Sequence, residues 1–338
     1  MAKLGLTIGG PYATLGVLAG EAEKRRFDSV WVAEADQDSL VQASVVATAT
    51  EDVEIGTNIT LAFPRSPVVT AQAAWDLNEL TSDRFIVGLG SQVRRIVEER
   101  FSAEFSQPAK RMGEYVQAMQ AAWAMMRGED VTFDGDLYHV LRPGLMGLGR
   151  AKDRQLPRVY VAAVGPRMTQ TAATFADGML GHPFVSREYL TDSVLPRIEE
   201  TLAENGRDRS DFQLAQGVIV SISDDRDQAI RDAKAQIAFY GSTPNYRQVF
   251  EAAGDGELQT TLNHVFKASN RDADAMIAAV PDEAVQRYAF AGTPDEVKDR
   301  LLDFGQYCDT LLIGGPWFKV GGKRMAENVF AILETFGR

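Results

Sequence analysis

Two strand-to-helix turns hold the residues with the clearest chemical reach. The first lies in "RFIVGLGSQVRRIVEERF", residues 84–101, where an apolar run meets Gly88-Leu89-Gly90, then Ser91, Gln92 and a charged, helix-like segment. Paired glycines let a ligand approach the backbone closely. The second lies in "YVAAVGPRMTQTAA", residues 160–173, with Val164-Gly165-Pro166 between a strand and a helix. Free N–H groups at such a helix start face an anion, aided by the helix dipole. Arg167 and Thr169 add donors beside it. An ordinary connecting loop has the same residue types, and the residues alone fit both readings.

Neither turn is a standard nucleotide motif. A dinucleotide fingerprint requires G-x-G-x-x-G, and the third glycine position is Val93. A P-loop requires G-x-x-x-x-G-K-[ST]. In "GGPWFKVGGKR", residues 314–324, Trp317 stands where the first glycine belongs and Arg324 follows Lys323. His139, His182 and His264 do not pair at ligand spacing, so no metal site is expected.

Composition narrows the setting. The 338 residues are 45% hydrophobic and 24% charged, as in an ordinary soluble globular chain. Net charge is −12, from 35 basic and 47 acidic residues. Such a surface repels nucleic acid and anionic membranes, yet leaves room for one anionic ligand held locally. The single Cys308 excludes an intrachain disulfide and suits a reducing cytoplasm. The N-terminus lacks the apolar core of a signal peptide, and no window approaches a membrane span. The expectation is a cytoplasmic protein acting on small molecules.

The elements that must position these turns follow from periodicity. Strands are expected at 3–9, 27–34, 53–63, 84–89, 158–165, 177–184, 212–222 and 310–315. Helices are expected at 14–26 with Thr14 as cap, at 39–50, and at 66–80 with Ser66 as cap and Pro67 at the first position, where a missing N–H costs nothing. Further helices run to about 176, across 187–205, and to 337. Two excursions interrupt the rhythm. Residues 91–156 carry a helix at 108–127, with Met112, Tyr115, Val116, Met119, Trp123 and Met126 on one face. They also carry a hairpin at 131–140, turning at Asp134-Gly135. Residues 225–305 read as mainly helical. Eight strands followed by helices require parallel pairing. The fold class is therefore α/β, a (β/α)8 TIM barrel forming one domain over 1–338, with insertions after the fourth and seventh strands. An open doubly wound sheet is the runner-up. Barrel chemistry sits at the C-terminal strand ends, here residues 34–38, 58–65, 88–95, 162–168, 178–184 and 314–319.

"FDSVWVAE", "EIGTNITLAFPRSPVVTAQAAWDLNELTSDRFIVGLGSQV", "RMGEYVQAMQAAW", "VYVAAVGPRM", "ADGMLGHPF" and "AGTPDEVKDRL" together resemble the bacterial luciferase-like flavin and deazaflavin oxidoreductases. "AFPRSP", "GLGSQV" and "HPF" are most similar to the branch that uses coenzyme F420, a deazaflavin. The resemblance implies a cofactor ring lying across the barrel mouth, above a non-prolyl cis peptide at Asn58-Ile59. It places the cofactor phosphate on Val164, Gly165 and the adjoining Ala163, Pro166, Arg167 and Met168, with Gly90, Ser91 and Gln92 nearby. Arg65 sits in the exit loop of the third strand, and Arg94 or Arg95 could meet an anionic tail.

The implied activity is hydride transfer between F420 and a small, fairly apolar organic substrate. The cofactor carries the hard step, and the protein orients, excludes water and handles one proton. Here the chain departs from the family. Relatives with a histidine after the second strand have no counterpart in Glu34-Ala35-Asp36-Gln37-Asp38, and the polar residues others place after the fourth strand are Val93 and Ile96. The remaining candidates are Glu34, Asp36 and His182. Glu34 fits equally a structural carboxylate bonded to loop amides, and His182 a ring packed beside Pro183. Two alternatives accompany this reading: an FMN-dependent monooxygenase on the same fold, and a barrel that binds a deazaflavin or other ligand without turnover. Relatives commonly form homodimers, to which the 66–80 helix could contribute.

Overall fold

Runs of β-branched, aromatic and small residues form the strands. The computed structural model describes residues 2–142, 144, 153–270 and 272–338. Residues 143 and 145–152 of the first expected excursion, and residue 271 of the second, lie outside the described residues. The strands are β1 (Lys3–Ile8), β2 (Ser29–Val32), β3 (Glu54–Thr57), β4 (Thr60–Leu61), β5 (Phe85–Gly90), β6 (Phe133–Asp134), β7 (His139–Val140), β8 (Arg158–Ala163), β9 (Gly178–Gly181), β10 (Gln213–Ile222), β11 (Phe290–Gly292) and β12 (Thr310–Gly314).

Pairing is parallel in the order β1, β2, β3, β5, β8, β9, β10 and β12, and β12 returns to β1. β4 continues the third position by pairing with β5. The result is a closed (β/α)8 barrel. β6 and β7 form the antiparallel hairpin, with Phe133 opposite Val140. β11 was not anticipated. It adds to the far end of β10 through Val220, Ser221 and Ile222.

Period-two alternation sorts the strand residues. Leu4, Leu6 and Ile8 pack outward against the helical shell, with Val30, Val32, Val87 and Val161. Trp31, Ile86, Tyr160, Leu180, Ala215 and Leu312 form a separate buried cluster that plugs the barrel. The Trp31 indole N–H donates to Ser29 Oγ at 2.8 Å, which satisfies its one polar atom. Gly56 makes this plug possible: a Cβ there would lie 2.2 Å from the Trp31 ring.

The helices follow local signals, with some shifts. The first runs Tyr12–Lys24 and is preceded by Pro11. Thr14 is therefore inside the helix rather than its cap, and its hydroxyl donates to the Pro11 carbonyl at 2.9 Å. Asp38 caps Ser39–Ala47 by accepting from the Leu40 and Val41 amides. Ser66 occupies the cap position of Pro67–Leu80 without a side-chain bond. Pro108–Met126 buries the expected stripe, and its Trp123 N–H donates to the Ala71 carbonyl at 2.8 Å. The helical stretch after β9 contains a π turn, Leu190–Val194, next to Pro196, whose ring nitrogen has no proton to donate. Among the described residues, six α-helices lie between β10 and β12: Arg226–Gly241, Arg247–Ala252, Gly256–Ala268, Ala273–Ala278, Asp282–Tyr288 and Pro294–Phe304. Among the described residues no helix is long and apolar enough to cross a membrane.

Candidate active site

Glu34 follows β2, and its side chain is 7% exposed. Oε2 accepts from the Leu61 amide at 2.9 Å and the Ser39 hydroxyl at 3.2 Å. Oε1 accepts from Arg65 Nη2 at 2.8 Å, and the same nitrogen donates to Asp38 Oδ2 at 2.7 Å. Burial pushes the Asp38 carboxyl up, but the Arg65 bond and two helix amides outweigh it and hold the group below its ordinary value. Burial likewise works against the Arg65 charge, and the two carboxylates more than compensate. Arg65 Nε is buried without a hydrogen-bond partner among the described residues.

A chain of hydroxyls extends this clamp into the wall. Ser39 Oγ lies 2.8 Å from Thr60 Oγ1, which donates to Thr57 Oγ1 at 3.0 Å. Thr57 then donates to the Gly88 carbonyl and accepts from the Gly88 amide, both at 2.9 Å. The chain spans the break between β3 and β4, where the Asn58-Ile59 peptide is cis, at the position implied by the family resemblance. The end of β2 holds that break on both sides: the Asn58 amide donates to the Val32 carbonyl, and the Glu34 amide to the Ile59 carbonyl. Ile59 leans on the wall at Gly90, where a Cβ would lie 1.9 Å from its Cδ1.

Asp36 stands apart, with its side chain 98% exposed and 3.5 Å from Arg100. After β5, Gln92 adopts a left-handed φ of 55°, and its Oε1 accepts from the Val93 amide at 3.0 Å. The Ser91 hydroxyl donates to the Gln92 carbonyl at 3.2 Å. Arg94 and Arg95 are exposed and pair along their helix with Glu98 and Glu99.

At the end of β8, Ala163 is buried and Val164 turns toward the helix Pro166–Phe175. Gly165 is the cap residue, and no side chain caps the first turn. Its carbonyl accepts from the Met168 and Thr169 amides. Val164 is pinned from above: its carbonyl accepts from the Tyr189 hydroxyl and from Gln248 Nε2. Pro166 and Arg167 are exposed. A Cβ on Gly165 would meet only Gln248, at 3.4 Å or more, so the backbone there is open to a ligand.

His182 follows β9 in the phase of Gly178 and Leu180. It keeps a little accessible surface, but aromatic rings crowd it. Nδ1 accepts from the Phe184 amide at 3.1 Å, and Nε2 lies 2.9 Å from the Tyr246 hydroxyl. Its ring centroid is 4.7 Å from that of Tyr240 and 4.6 Å from that of Tyr246. Burial pushes His182 down to about 3, pushes the Tyr240 hydroxyl up to about 12 and raises Tyr246 as well. Sequence reasoning missed Tyr246. Its only signal was an aromatic residue between Tyr240 and Phe250 in the second excursion.

The sequence candidates thus separate. Glu34 and Arg65 meet at one side of the mouth beside Asn58 and Ile59, His182 gathers with Tyr246 at another, and Asp36 joins neither. Among the described residues no cluster of His, Cys, Asp and Glu could hold a metal ion.

Comparison with known proteins bears on this geometry. Residues 3–309 match the family described as luciferase-like monooxygenase. An uncharacterized protein of Mycobacterium tuberculosis is 39% identical over 285 residues, 82% of this chain and 83% of that one. A 5,10-methylenetetrahydromethanopterin reductase of Archaeoglobus fulgidus is 27% identical over 303 residues, 87% and 86% of the two chains. The solved structure of a coenzyme F420-dependent tetrahydromethanopterin reductase from Methanopyrus kandleri superposes with a TM-score of 0.80 at 20% identity, covering 99% of this chain and 98% of that chain. That likeness establishes a shared fold. Because the family match runs from β1 almost to β12, this chain belongs to the luciferase-like monooxygenase family.

Proposed function

We propose that this chain is a cytoplasmic oxidoreductase that transfers a hydride between coenzyme F420 and a small, fairly apolar organic molecule. One juxtaposition carries the reading: small interior residues at the mouth beside an uncapped helix start. Ala162 and Gly314 each follow a plug residue, Tyr160 and Leu312, by two positions, and Ile59 fills the space beside Gly90, which leaves a shallow platform above the plug. The backbone at Gly165 is open; Pro166 has no N–H and the Met168 amide bonds the Gly165 carbonyl, so the Arg167 amide is the first-turn donor left for a ligand among the described residues. A flat ring with a phosphate arm fits both features. In this reading Ala163, Val164, Gly165, Pro166, Arg167 and Met168 hold the phosphate. Gly90, Ser91 and Gln92 border it, and Asn58 and Ile59 back the ring. Arg65 and Glu34 brace that backing from behind.

Bound F420 supplies the carbon that gives or accepts the hydride. The residues of the chain handle the rest. Glu34 is committed to Arg65, Leu61 and Ser39, and Asp36 stands in water. The proton task therefore falls to His182 and Tyr246. Because His182 Nδ1 accepts, its neutral ring carries the proton on Nε2 and donates it to Tyr246. Tyr246 keeps its own proton, since burial opposes the phenolate. It can present that O–H to a carbonyl or imine heteroatom of the substrate.

The family's description as a monooxygenase favours a second reading, in which the barrel takes FMN in place of F420. Absorbance titrations of the purified protein with F420 and FMN in parallel separate the two, because the favoured reading expects saturable binding of F420 and not of FMN. Reduced F420 is then offered a panel of small ketones and imines. Tight F420 binding without reduction of any of them would favour a barrel that binds its ligand without turnover. A homodimer through Pro67–Leu80, which leaves Val69 and Leu80 exposed, belongs to the same reading, and sedimentation velocity tests it.

A further inference from the structure

A cleft of about 560 Å³ opens between the chain leaving β9, the outer face of β10 and the helices Asp282–Tyr288 and Pro294–Phe304. It contains none of the residues assigned above to the cofactor. Val218, Ile219, Tyr288 and Phe304 give it an apolar wall. Two polar groups of opposite charge interrupt that wall with their bonding incomplete. Glu188 Oε2 is buried and has no hydrogen-bond partner among the described residues. Arg300 lies over the Phe290 ring at 5.5 Å and donates from Nη2 to the Gln286 and Ala289 carbonyls. A guanidinium has five donors, so its Nε and Nη1 remain for another acceptor. Burial depresses its charged form, and the Glu296 charge offsets this only in part.

The other arginines of the cleft are occupied. Arg187 pairs with Asp303 at 3.3 Å and Arg287 with Asp255 at 2.6 Å. Glu283 and Asp299 are exposed and keep their hydration. A buried acceptor without a bond costs free energy until a ligand supplies one, and Arg300 keeps donors that such a ligand can take over from water. An apolar cavity of this size with a few convergent polar groups is also the usual form of a small-molecule site.

We propose that this cleft binds a small amino carboxylate. Its ammonium meets Glu188, its carboxylate meets Arg300, and its apolar body lies on the wall between them. The site is independent of the barrel mouth and of the function proposed there.

Calorimetric titration of the full chain tests the assignment. The probes are L-phenylalanine and 6-aminohexanoate, with hexanoate and hexylamine as singly charged controls. At least one amino carboxylate is expected to bind about tenfold more tightly than either control, and Glu188→Gln and Arg300→Leu should each weaken it by about tenfold or more. Thermal melting supplies a second readout: Glu188→Gln removes a carboxylate whose Oε2 makes no hydrogen bond among the described residues and should melt close to wild type, so that lost binding is not lost folding. If Arg300→Leu fails to fold, Glu188→Gln decides alone. The proposal is overturned if neither amino carboxylate binds at millimolar concentration, if a singly charged control binds as tightly, or if binding survives Glu188→Gln unchanged.

Discussion

Nε2 of His182 lies 2.9 Å from the Tyr246 hydroxyl, while Nδ1 accepts from the Phe184 amide at 3.1 Å. These two bonds fix the direction of the pair, because a neutral imidazole that accepts at one nitrogen donates at the other. The Tyr246 oxygen therefore receives a proton in a hydrogen bond and has its own left to offer. On the function proposed here, Tyr246→Phe should lower kcat for carbonyl reduction by about 100-fold, the usual effect of deleting one donor at a developing negative charge. F420 affinity should not change. Steady-state kinetics beside a cofactor titration checks both halves, and an unaltered kcat would remove Tyr246 from the chemistry.

The same pair makes a pH prediction. Burial takes His182 from its ordinary 6.5 to about 3. Between those values the unfolded chain binds more protons than the native one, so stability falls as the medium becomes more acidic. The contribution is complete above 6.5 and diminishes toward 3. Urea midpoints for wild type and His182→Gln, measured between neutral pH and about pH 4.5, should show the wild type losing more. Parallel slopes would mean that the ring titrates normally.

Gly165→Asp should abolish F420 binding and leave the fold intact. The Gly165 φ is −98°, which any residue adopts, and a Cβ would meet Gln248 only at 3.4 Å. The new carboxylate would repel a phosphate on the helix start. Far-UV dichroism and a cofactor titration are sufficient, and undiminished affinity would take this turn out of the site.

Glu34→Ala should destabilise the protein by about 2–4 kcal/mol, because it leaves the Leu61 amide unmet and Arg65 with Asp38 alone. Denaturant unfolding measures the loss. Impaired turnover without lost stability would instead make Glu34 a participant in the chemistry.

The barrel was legible because each of its strands is a short apolar run followed by a helix signal, as in "RVYVAAVG" before Pro166. The helix at Pro108–Met126 was equally clear, since Met112, Tyr115, Met119 and Trp123 recur on one face. β11 was hidden because three residues give too short a pattern for periodicity. The Asp38 cap was available as an acid directly before a helical run, but Thr14 was assigned a similar role that Pro11 fills. The Glu34–Arg65 clamp and the His182–Tyr246 pair join residues 31 and 64 positions apart. No local pattern encodes such a meeting, and only the closed ring brings them together.

β10 and β12 are direct neighbours from Ala215 and Thr310 to Ile219 and Gly314, although the chain between them wanders through several helices and β11. The cylinder is thus complete without that intervening passage. That passage nonetheless carries Tyr246 to His182 and Gln248 to Val164, so the staves close without it while the lining of the opening depends on its path.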